Sequence, residues 1–419
     1  MPTLEKIEQT SRLIDDHIFR TPLVYSPTLS SRFDSHIYLK LENLQKTGSF
    51  KIRGAAAKLI RGCMQNTISS KGVVTASAGN HAQGVALAAR EAGLPATVVM
   101  PQWSSISKRE ATRGYGGNII ISGATLEESV ARAREIAKEG MTFIHPFDDE
   151  DIICGQGTIG LEILSVLPDV ETIIVPVGGG GLIAGISSVI KATNPRIRMI
   201  GVEAAACPSA QMSMRVGKCV SVQAEPSLAD GISVKQLGEI PFQMIRKQVD
   251  ELVTVQEAYI AASIQILLDR KKMLAEGAAA APLAALLNGS VRPRRDEKIV
   301  LLVSGGNVDI PLLGRIIHRG LVENGRIMRI RLNLSDRPGV LARLLNKVAA
   351  LEANILHIYH DRSAQRSAID ETRVELELET RNDAHIREIE NALKADGYAM
   401  EPTDCPGQGA GPTDSPVLV

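Results

Sequence analysis

The residue in this sequence with the greatest chemical potential is Lys51, at the centre of the stretch LENLQKTGSFKIRGAAA, residues 41–57. It is flanked by Phe50, Ile52 and small residues, where an apolar strand gives way to an alanine-rich helix. A lysine in such a position can be partly desolvated, and desolvation disfavours the charged ammonium form. The neutral amine is a nucleophile toward carbonyl groups and can form a Schiff base. Taken alone, the stretch equally fits a solvent-exposed lysine at a helix start.

A second stretch with chemical potential is Ser77-Ala78-Gly79-Asn80-His81, which lies between the apolar run GVVTA (72–76) and a predicted helix. Small residues at a helix N-terminus expose backbone amides, which are a natural seat for a carboxylate. The Asn80 side chain could add a hydrogen bond to a ring substituent. A capped loop without a ligand is the alternative interpretation.

Four consecutive glycines, Gly178, Gly179, Gly180 and Gly181, follow the apolar run TIIVPV (172–177). Glycine weakens regular structure through its backbone entropy, so such a run favours close approach of main-chain N–H groups to a ligand. An anion at the N-terminus of the following helix is the best candidate. The run lacks the features of a P-loop or a dinucleotide fold, so a phosphate monoester fits better than ATP or NAD. A structural tight turn is the alternative.

The stretch Ser304-Gly305-Gly306-Asn307 follows the apolar run KIVLLV (298–303). Ligands of open α/β sheets bind at the carboxyl ends of strands. The Ser304 hydroxyl can hydrogen-bond a ring nitrogen and leave it uncharged. A nucleophilic lysine, a phosphate cradle, a carboxylate seat and a neutral partner for a ring nitrogen together match what pyridoxal 5′-phosphate acting on an amino acid requires.

The elements around these motifs predict an α/β protein. Short Val- and Ile-rich runs alternate with helical segments, which indicates parallel sheets covered on both faces, with a smaller lobe at about 45–150. From about residue 326 to 402, alternating polar and apolar strands give the order β-α-β-β-α-β of a ferredoxin-like module. We therefore predict a catalytic domain over 1–322 and a separate module over 326–402. A disordered tail is predicted over 403–419, because it is rich in Gly, Pro, Ser and Thr.

Composition excludes several other classes of protein. The 419 residues carry 47 basic and 47 acidic side chains, which argues against a nucleic-acid or membrane-surface partner. No apolar run is long enough to span a bilayer, and the amino terminus lacks the apolar region of a secretory signal. Five scattered cysteines fit reduced thiols in a cytoplasmic protein better than a disulfide framework or a zinc site.

In the order and spacing of GSFKIRGA, SAGNHAQGVA, GGGG and SGGN, the sequence resembles the threonine/serine dehydratases among the tryptophan-synthase-β-like, fold type II pyridoxal-phosphate enzymes. Residues 326–402 resemble an ACT regulatory domain. The resemblance implies the site roles as follows: Lys51 is the Schiff-base lysine, Phe50 packs beside the cofactor ring, Asn80 bonds its phenolic oxygen, Gly178 to Gly181 hold its phosphate, and Ser304 meets the pyridine nitrogen.

Two positions narrow what the resemblance implies. Serine racemases of the family have a reprotonating serine where this chain has Ala78, so elimination is expected to prevail over racemisation. They also carry a divalent-metal site for which Glu203 is a weak match here, because Ser209 replaces its aspartate partner. An end-of-strand carboxylate is an equal interpretation of Glu203.

The resemblance implies β-elimination from L-threonine to 2-oxobutanoate and ammonia, with L-serine as a second substrate giving pyruvate. It also implies a homodimer or homotetramer, and a branched-chain amino acid as effector. The rival hypotheses are a serine-preferring dehydratase or racemase and an amino-acid sensor with degenerate catalysis. The residues expected to form the effector site are Asp336, Arg337, Pro338, Gly339, Val340, Leu341, Asn354 and Ile355.

Overall fold

The structure is a computed structural model that describes residues 2–362 and 370–401. The chain forms two compact units, Met1–Ile310 and Pro311–Val419. The predicted tail, 403–419, lies outside the described residues. None of the helices in the described part of the chain is long and apolar enough to cross a membrane.

Helices and strands alternate through the first unit. The helices are α1 (Leu4–Ile14), α2 (Pro27–Phe33), α3 (Lys51–Met64), α4 (Asn80–Glu91), α5 (Ile106–Gly114), α6 (Leu126–Lys138), α7 (Glu150–Val166), α8 (Gly181–Thr193), α9 (Ser209–Val216), α10 (Glu239–Gln248), α11 (Glu257–Lys271) and α12 (Gly277–Leu287). The strands are β1 (Leu23–Tyr25), β2 (His36–Leu41), β3 (Val73–Ala76), β4 (Ala96–Met100), β5 (Gly117–Ile121), β6 (Thr142–Phe143), β7 (Thr172–Pro176), β8 (Arg198–Ala204), β9 (Glu251–Val255) and β10 (Lys298–Val303).

These strands form two sheets. The six-stranded sheet has the order β1-β2-β10-β7-β8-β9 and is parallel except where β1 pairs with β2. The four-stranded sheet has the order β5-β4-β3-β6 and is parallel throughout. Its strands all lie within residues 45–150, the range predicted for a smaller lobe. The predicted α/β class with parallel and mixed sheets is confirmed.

The central strands are apolar on both faces because helices cover both faces of the sheet. On β7 the neighbouring side chains of Ile173, Ile174 and Val175 are all fully buried, although neighbours point to opposite faces. Both α8 and α12 contact this strand. The arrangement explains why TIIVPV and KIVLLV lack polar alternation. It also places the glycine run and the Ser304–Asn307 loop at the carboxyl ends of their strands.

A buried ionic cluster anchors the first turn of α3. The Arg53 guanidinium donates to Glu42 (Nε to Oε2, 2.8 Å) and to Glu162 (Nη1 to Oε1, 2.6 Å), and its side chain is fully buried. Lys40 also contacts Glu162. Burial acts to raise the pKa of Glu42, but the Arg53 charge and hydrogen bond outweigh it, so the pKa is lowered. The cluster therefore holds the helix that begins at Lys51.

The second unit has the element order predicted from the sequence. Its elements are α13 (Ile310–Glu323, which begins at the last residue of the first unit), β11 (Ile327–Ser335), α14 (Val340–Ala350), β12 (Asn354–Asp361), β13 (Glu371–Glu379), α15 (Asp383–Ala395) and β14 (Met400–Glu401). The antiparallel sheet has the order β12-β13-β11-β14. Alternate residues of β11, such as Leu332 and Leu334, pack with Leu344 and Val348 of α14. The ferredoxin-like fold prediction for this part of the chain is confirmed.

Candidate active site

Lys51 is the first residue of α3, and its ammonium group lies in a largely apolar setting. Its Nζ donates to the Pro146 carbonyl oxygen at 3.0 Å and lies 5.2 Å from the centroid of the Phe50 ring. Burial lowers the pKa of Lys51 from 10.5 to about 8, although the charge of Glu276 partly opposes the shift. Because neutral amine increases as pH rises toward 8, its nucleophilic form is accessible near neutral pH.

Main-chain hydrogen bonds join the loop before Lys51 to the Ser304–Asn307 loop. The Phe50 N–H donates to the Ser304 carbonyl at 3.1 Å, and the Gly306 N–H donates to the Gly48 carbonyl at 2.9 Å. Gly48 has φ +70°, and a Cβ there would lie 2.5 Å from Asn307 Oδ1. The structure therefore brings Lys51 and Ser304 together, as the sequence predicts, and glycine is needed at residue 48 for this approach.

Asn80, the first residue of α4, joins the same cluster. Its Nδ2 donates to both carboxylate oxygens of Glu276, at 2.9 and 3.0 Å, and its Oδ1 accepts from Asn307 Nδ2 at 2.8 Å. The preceding Gly79 faces open space at the position a Cβ would take. An open helix N-terminus beside Asn80 agrees with the predicted carboxylate seat over Ser77–His81.

His81 contributes no titrating side chain to this seat. It is buried, and its Nε2 lies 3.3 Å from the Ile144 carbonyl oxygen, to which it can donate. Burial, with the nearby Lys51 charge, lowers its pKa well below 6.5. The imidazole is therefore neutral at physiological pH, and what residue 81 offers a ligand is its main-chain N–H.

The four glycines form the turn from β7 into α8. All four are buried, and Gly180 has φ +88°. In the described part of the chain, no protein acceptor lies within hydrogen-bonding distance of the N–H groups from Gly178 to Leu182. Buried N–H groups normally have a partner, so this turn is suited to an anion such as a phosphate.

Packing explains why side chains are excluded from this turn. A Cβ at Gly179 would lie 2.3 Å from the Phe147 ring, and one at Gly178 would lie 2.9 Å from Ile232 Cα. Phe147 directly follows Pro146, whose carbonyl accepts from Lys51. The glycine run and Lys51 are thus joined through one short segment, which the motifs alone do not reveal.

Glu276 is a site residue that the sequence interpretation missed. It is 4% exposed, and its N–H donates to the Gly305 carbonyl at 3.1 Å. Burial, followed by the charge of Asp230, raises its pKa to about 7. One signal was present in the sequence, because a glutamate directly before the small, apolar run 277–287 is expected to be buried, and buried carboxylates are rare without a function.

Glu203, the weak metal candidate, ends strand β8 and caps a helix. Its carboxylate accepts from the N–H groups of Ala210 at 2.6 Å and Gln211 at 2.8 Å, in the first turn of α9. Ser209 Oγ donates instead to the Val234 carbonyl at 2.7 Å. Across residues 2–362 and 370–401, no group of three or more His, Cys, Asp or Glu side chains is arranged to hold a metal ion. These contacts favour the interpretation of Glu203 as an end-of-strand carboxylate.

The residues predicted to bind an effector lie at two ends of the C-terminal sheet. The turn Asp336–Leu341 follows β11, whose last residue, Ser335, pairs with Glu371. Asn354 and Ile355 begin β12, where Asn354 pairs with Glu379, eight residues further along β13. Eight residues of antiparallel strand span about 27 Å. Within one chain, the two groups therefore cannot contact the same amino acid.

Comparison with known proteins identifies the family. The model of the family described as "Pyridoxal-phosphate dependent enzyme" matches residues 14–305. The chain belongs to this family, and pyridoxal phosphate is its cofactor. It is 48% identical to the L-threonine ammonia-lyase of Thermotoga maritima over 96% of this chain and 99% of that protein. It is 46% identical to the L-threonine ammonia-lyase of Geobacter sulfurreducens, over 94% of this chain and 98% of that protein.

Solved structures give the same result for the first unit. A bacterial threonine deaminase, from the organism abbreviated T.th., is 38% identical, with a TM-score of 0.69 over 74% of this chain and 99% of that one. Maize serine racemase is 34% identical, with a TM-score of 0.71 over 77% of this chain and 98% of that one. The fold type II assignment is therefore confirmed.

The residues present fit the cofactor. The bare amides of the glycine turn suit its phosphate, and the partly neutral amine of Lys51 suits its aldehyde. When bound, the cofactor supplies a carbonyl for the substrate amine and a ring that withdraws electrons from the substrate Cα.

Proposed function

We propose that this protein is an L-threonine ammonia-lyase that converts L-threonine to 2-oxobutanoate and ammonia, and L-serine to pyruvate and ammonia. The observation that carries the proposal is the buried Lys51 amine, whose pKa is lowered to about 8 in a site built with Asn80 and Ser304. The near full-length similarity to two L-threonine ammonia-lyases supports the choice of substrate.

The site residues have the following proposed roles. Lys51 Nζ binds the cofactor, yields its place to the substrate amine and then takes the proton from the substrate Cα. Main-chain amides over Ser77–His81 hold the substrate carboxylate, and Asn80 holds the phenolic oxygen of the cofactor. Phe50 packs beside the ring, Gly178 to Gly181 hold the phosphate, and Ser304 Oγ hydrogen-bonds the ring nitrogen without charging it. A neutral ring nitrogen favours prompt loss of the β-hydroxyl group.

A 2-oxo-acid assay tests the proposed function. The purified protein loaded with pyridoxal phosphate should release one 2-oxobutanoate and one ammonia per L-threonine consumed. L-Serine should yield pyruvate, and D-serine should react much more slowly. A colourless protein that borohydride does not alter and that turns over none of these amino acids would favour the rival hypothesis of a sensor with degenerate catalysis.

Racemisation of serine should be weak, because the residue next to the carboxylate seat is Ala78. A hydroxyl at this position could return a proton to the face of the substrate opposite Lys51. We expect Ala78→Ser to raise the ratio of D-serine to pyruvate formed from L-serine about tenfold, as general acid catalysis contributes at least this much. Chiral chromatography of the products measures the ratio. A wild-type protein with D-serine as its main product would instead identify a serine racemase.

We also propose that the C-terminal unit is an ACT domain whose effector is a branched-chain amino acid. A threonine-to-oxobutanoate step would feed isoleucine synthesis, so isoleucine is the first candidate. The proposed site is the Asp336–Leu341 turn, where Gly339 has φ +84° and α14 begins. Because Asn354 and Ile355 lie at the opposite end of the sheet, one effector could contact both groups only across two copies of the chain. This supports a homodimer or homotetramer, which we propose to be cytoplasmic.

Isoleucine and valine titrations test this regulation. We expect isoleucine to change the rate on L-threonine several-fold and to raise the melting temperature, because a ligand that binds the folded state stabilises it. Asp336→Ala should weaken both effects and leave the rate without effector unchanged. Rates and melting temperatures that stay constant through both titrations would contradict the proposal.

A further inference from the structure

Asn80 is held from two sides by residues of other segments. Its Nδ2 group donates to Glu276 Oε1 and Oε2, and its Oδ1 atom accepts from Asn307 Nδ2. Carboxylate oxygens only accept, whereas the Asn307 Nδ2 group only donates. If the Asn80 amide were rotated by 180°, both contacts would place like partners together. One orientation of Asn80 is therefore strongly favoured.

Asn307 is itself fixed, so its contact to Asn80 is not adventitious. Its Nδ2 group also donates to the Thr47 carbonyl at 2.8 Å and to Gln83 Oε1 at 3.2 Å. Its Oδ1 atom packs where a side chain on Gly48 would otherwise lie. Asn307 thus joins the loop before Lys51 to the first turn of α4.

Glu276 is surrounded by charged groups from three other segments. Asp230, in the short 3-10 helix Asp230–Ile232, raises its pKa, whereas Lys108 of α5 and Lys51 of α3 lower it. Lys108 Nζ donates to Asp230 Oδ2 at 2.6 Å, so these two charges largely offset each other. Burial is the largest influence, and the pKa of Glu276 rises to about 7. The carboxyl group therefore changes charge within the physiological pH range.

We propose that Glu276 and Asn307 are positioning residues that together fix the Asn80 amide, and that the charge of Glu276 is transmitted through Asn80 to the bound cofactor. The inference rests on the proposed function at one point, the contact between Asn80 and the cofactor. Below neutral pH, protonated Glu276 has one oxygen fewer to accept from Asn80 Nδ2, so the amide is held less firmly. Above neutral pH, both oxygens accept, and the negative charge also favours the ammonium form of Lys51.

Visible spectra of the cofactor-loaded protein between pH 5.5 and 9 test the proposal. The wild-type spectrum should titrate with a midpoint near pH 7, whereas Glu276→Gln should remove this transition and Glu276→Asp should retain it at a shifted midpoint. In Glu276→Gln, we expect kcat on L-threonine to fall at least tenfold and KM to change less than threefold, because Glu276 acts through Asn80 rather than on the substrate.

Glu203→Gln is the matched control. Glu203 is also a buried carboxyl whose pKa burial raises to about 7, but it accepts from Ala210 and Gln211 instead of Asn80. Its variant should keep the wild-type titration. If Glu276→Gln also kept it, the proposal would be overturned, whatever its effect on kcat or stability.

A second variant tests the orientation of Asn80 independently. Asn307→Asp preserves shape but cannot donate to Asn80 Oδ1, so the dissociation constant of pyridoxal phosphate from the protein should rise about tenfold. An unchanged dissociation constant would contradict the positioning role of Asn307. Wild-type protein that lacked activity on L-threonine would instead refute the proposed function, so the two failures are distinguishable.

Discussion

Replacement of Lys51 by alanine is expected to abolish both the visible absorbance of the bound cofactor and the release of 2-oxobutanoate from L-threonine. The alanine side chain can neither bind the aldehyde nor take the Cα proton, so kcat should fall by more than about a thousandfold. Lys51→Arg should be equally inactive, because the guanidinium stays protonated at any pH that the protein tolerates. Absorbance spectra and the 2-oxo-acid assay measure both effects.

Lys58→Ala is the matched control for this experiment. Lys58 lies two turns further along the same helix and pairs with Asp149 at 2.7 Å. Its removal should leave the cofactor spectrum and kcat close to those of the wild type. Turnover retained by Lys51→Ala, or lost equally in Lys58→Ala, would contradict the assignment of Lys51.

Replacement of Arg53 by methionine is expected to destabilise the first unit by about 3–5 kcal/mol, the usual loss when one partner of a buried ion pair is removed. Arg53 and Glu42 are both fully buried, so the substitution leaves the Glu42 carboxylate without its main counterion. It also leaves Glu162 with Lys40 as its remaining cationic partner in the cluster. Urea unfolding followed by circular dichroism measures the change in the free energy of unfolding.

Arg132→Met is the control for Arg53→Met. Arg132 forms a surface pair with Glu135 three residues further along α6, and exposed pairs contribute about 1 kcal/mol or less. A loss for Arg53→Met as small as that for Arg132→Met would show that the buried cluster does not stabilise α3. Because α3 begins at Lys51, we also expect Arg53→Met to bind the cofactor more weakly.

The sequence was sufficient for the parts of the site that are contiguous in the chain. Lys51, Asn80, the glycines at 178–181 and Ser304 each stand at a junction between a strand and a helix or loop, and such junctions are visible in hydrophobic patterns. The parallel sheets and the order of elements in the second unit were predicted for the same reason. Both follow from local periodicity and local turn chemistry.

The rest of the site depends on contacts between distant segments. Glu276 reaches Asn80 across 196 residues, and Asn307 reaches it across 227. Neither contact leaves a periodic pattern in the sequence. The capping role of Glu203 was equally hidden, because a carboxylate at the end of a strand can serve a metal or a helix. The separation of Asp336 from Asn354 follows from strand register, which composition does not reveal.

The central claim is that the Lys51 amine holds the cofactor. Borohydride reduction of the loaded protein, followed by peptide mass spectrometry, tests it most directly. We predict one pyridoxyl-phosphate adduct per chain, on the peptide that contains Lys51, and loss of the adduct when L-threonine is added before the borohydride. An adduct on another lysine, or none on a protein that converts L-threonine, would contradict the account.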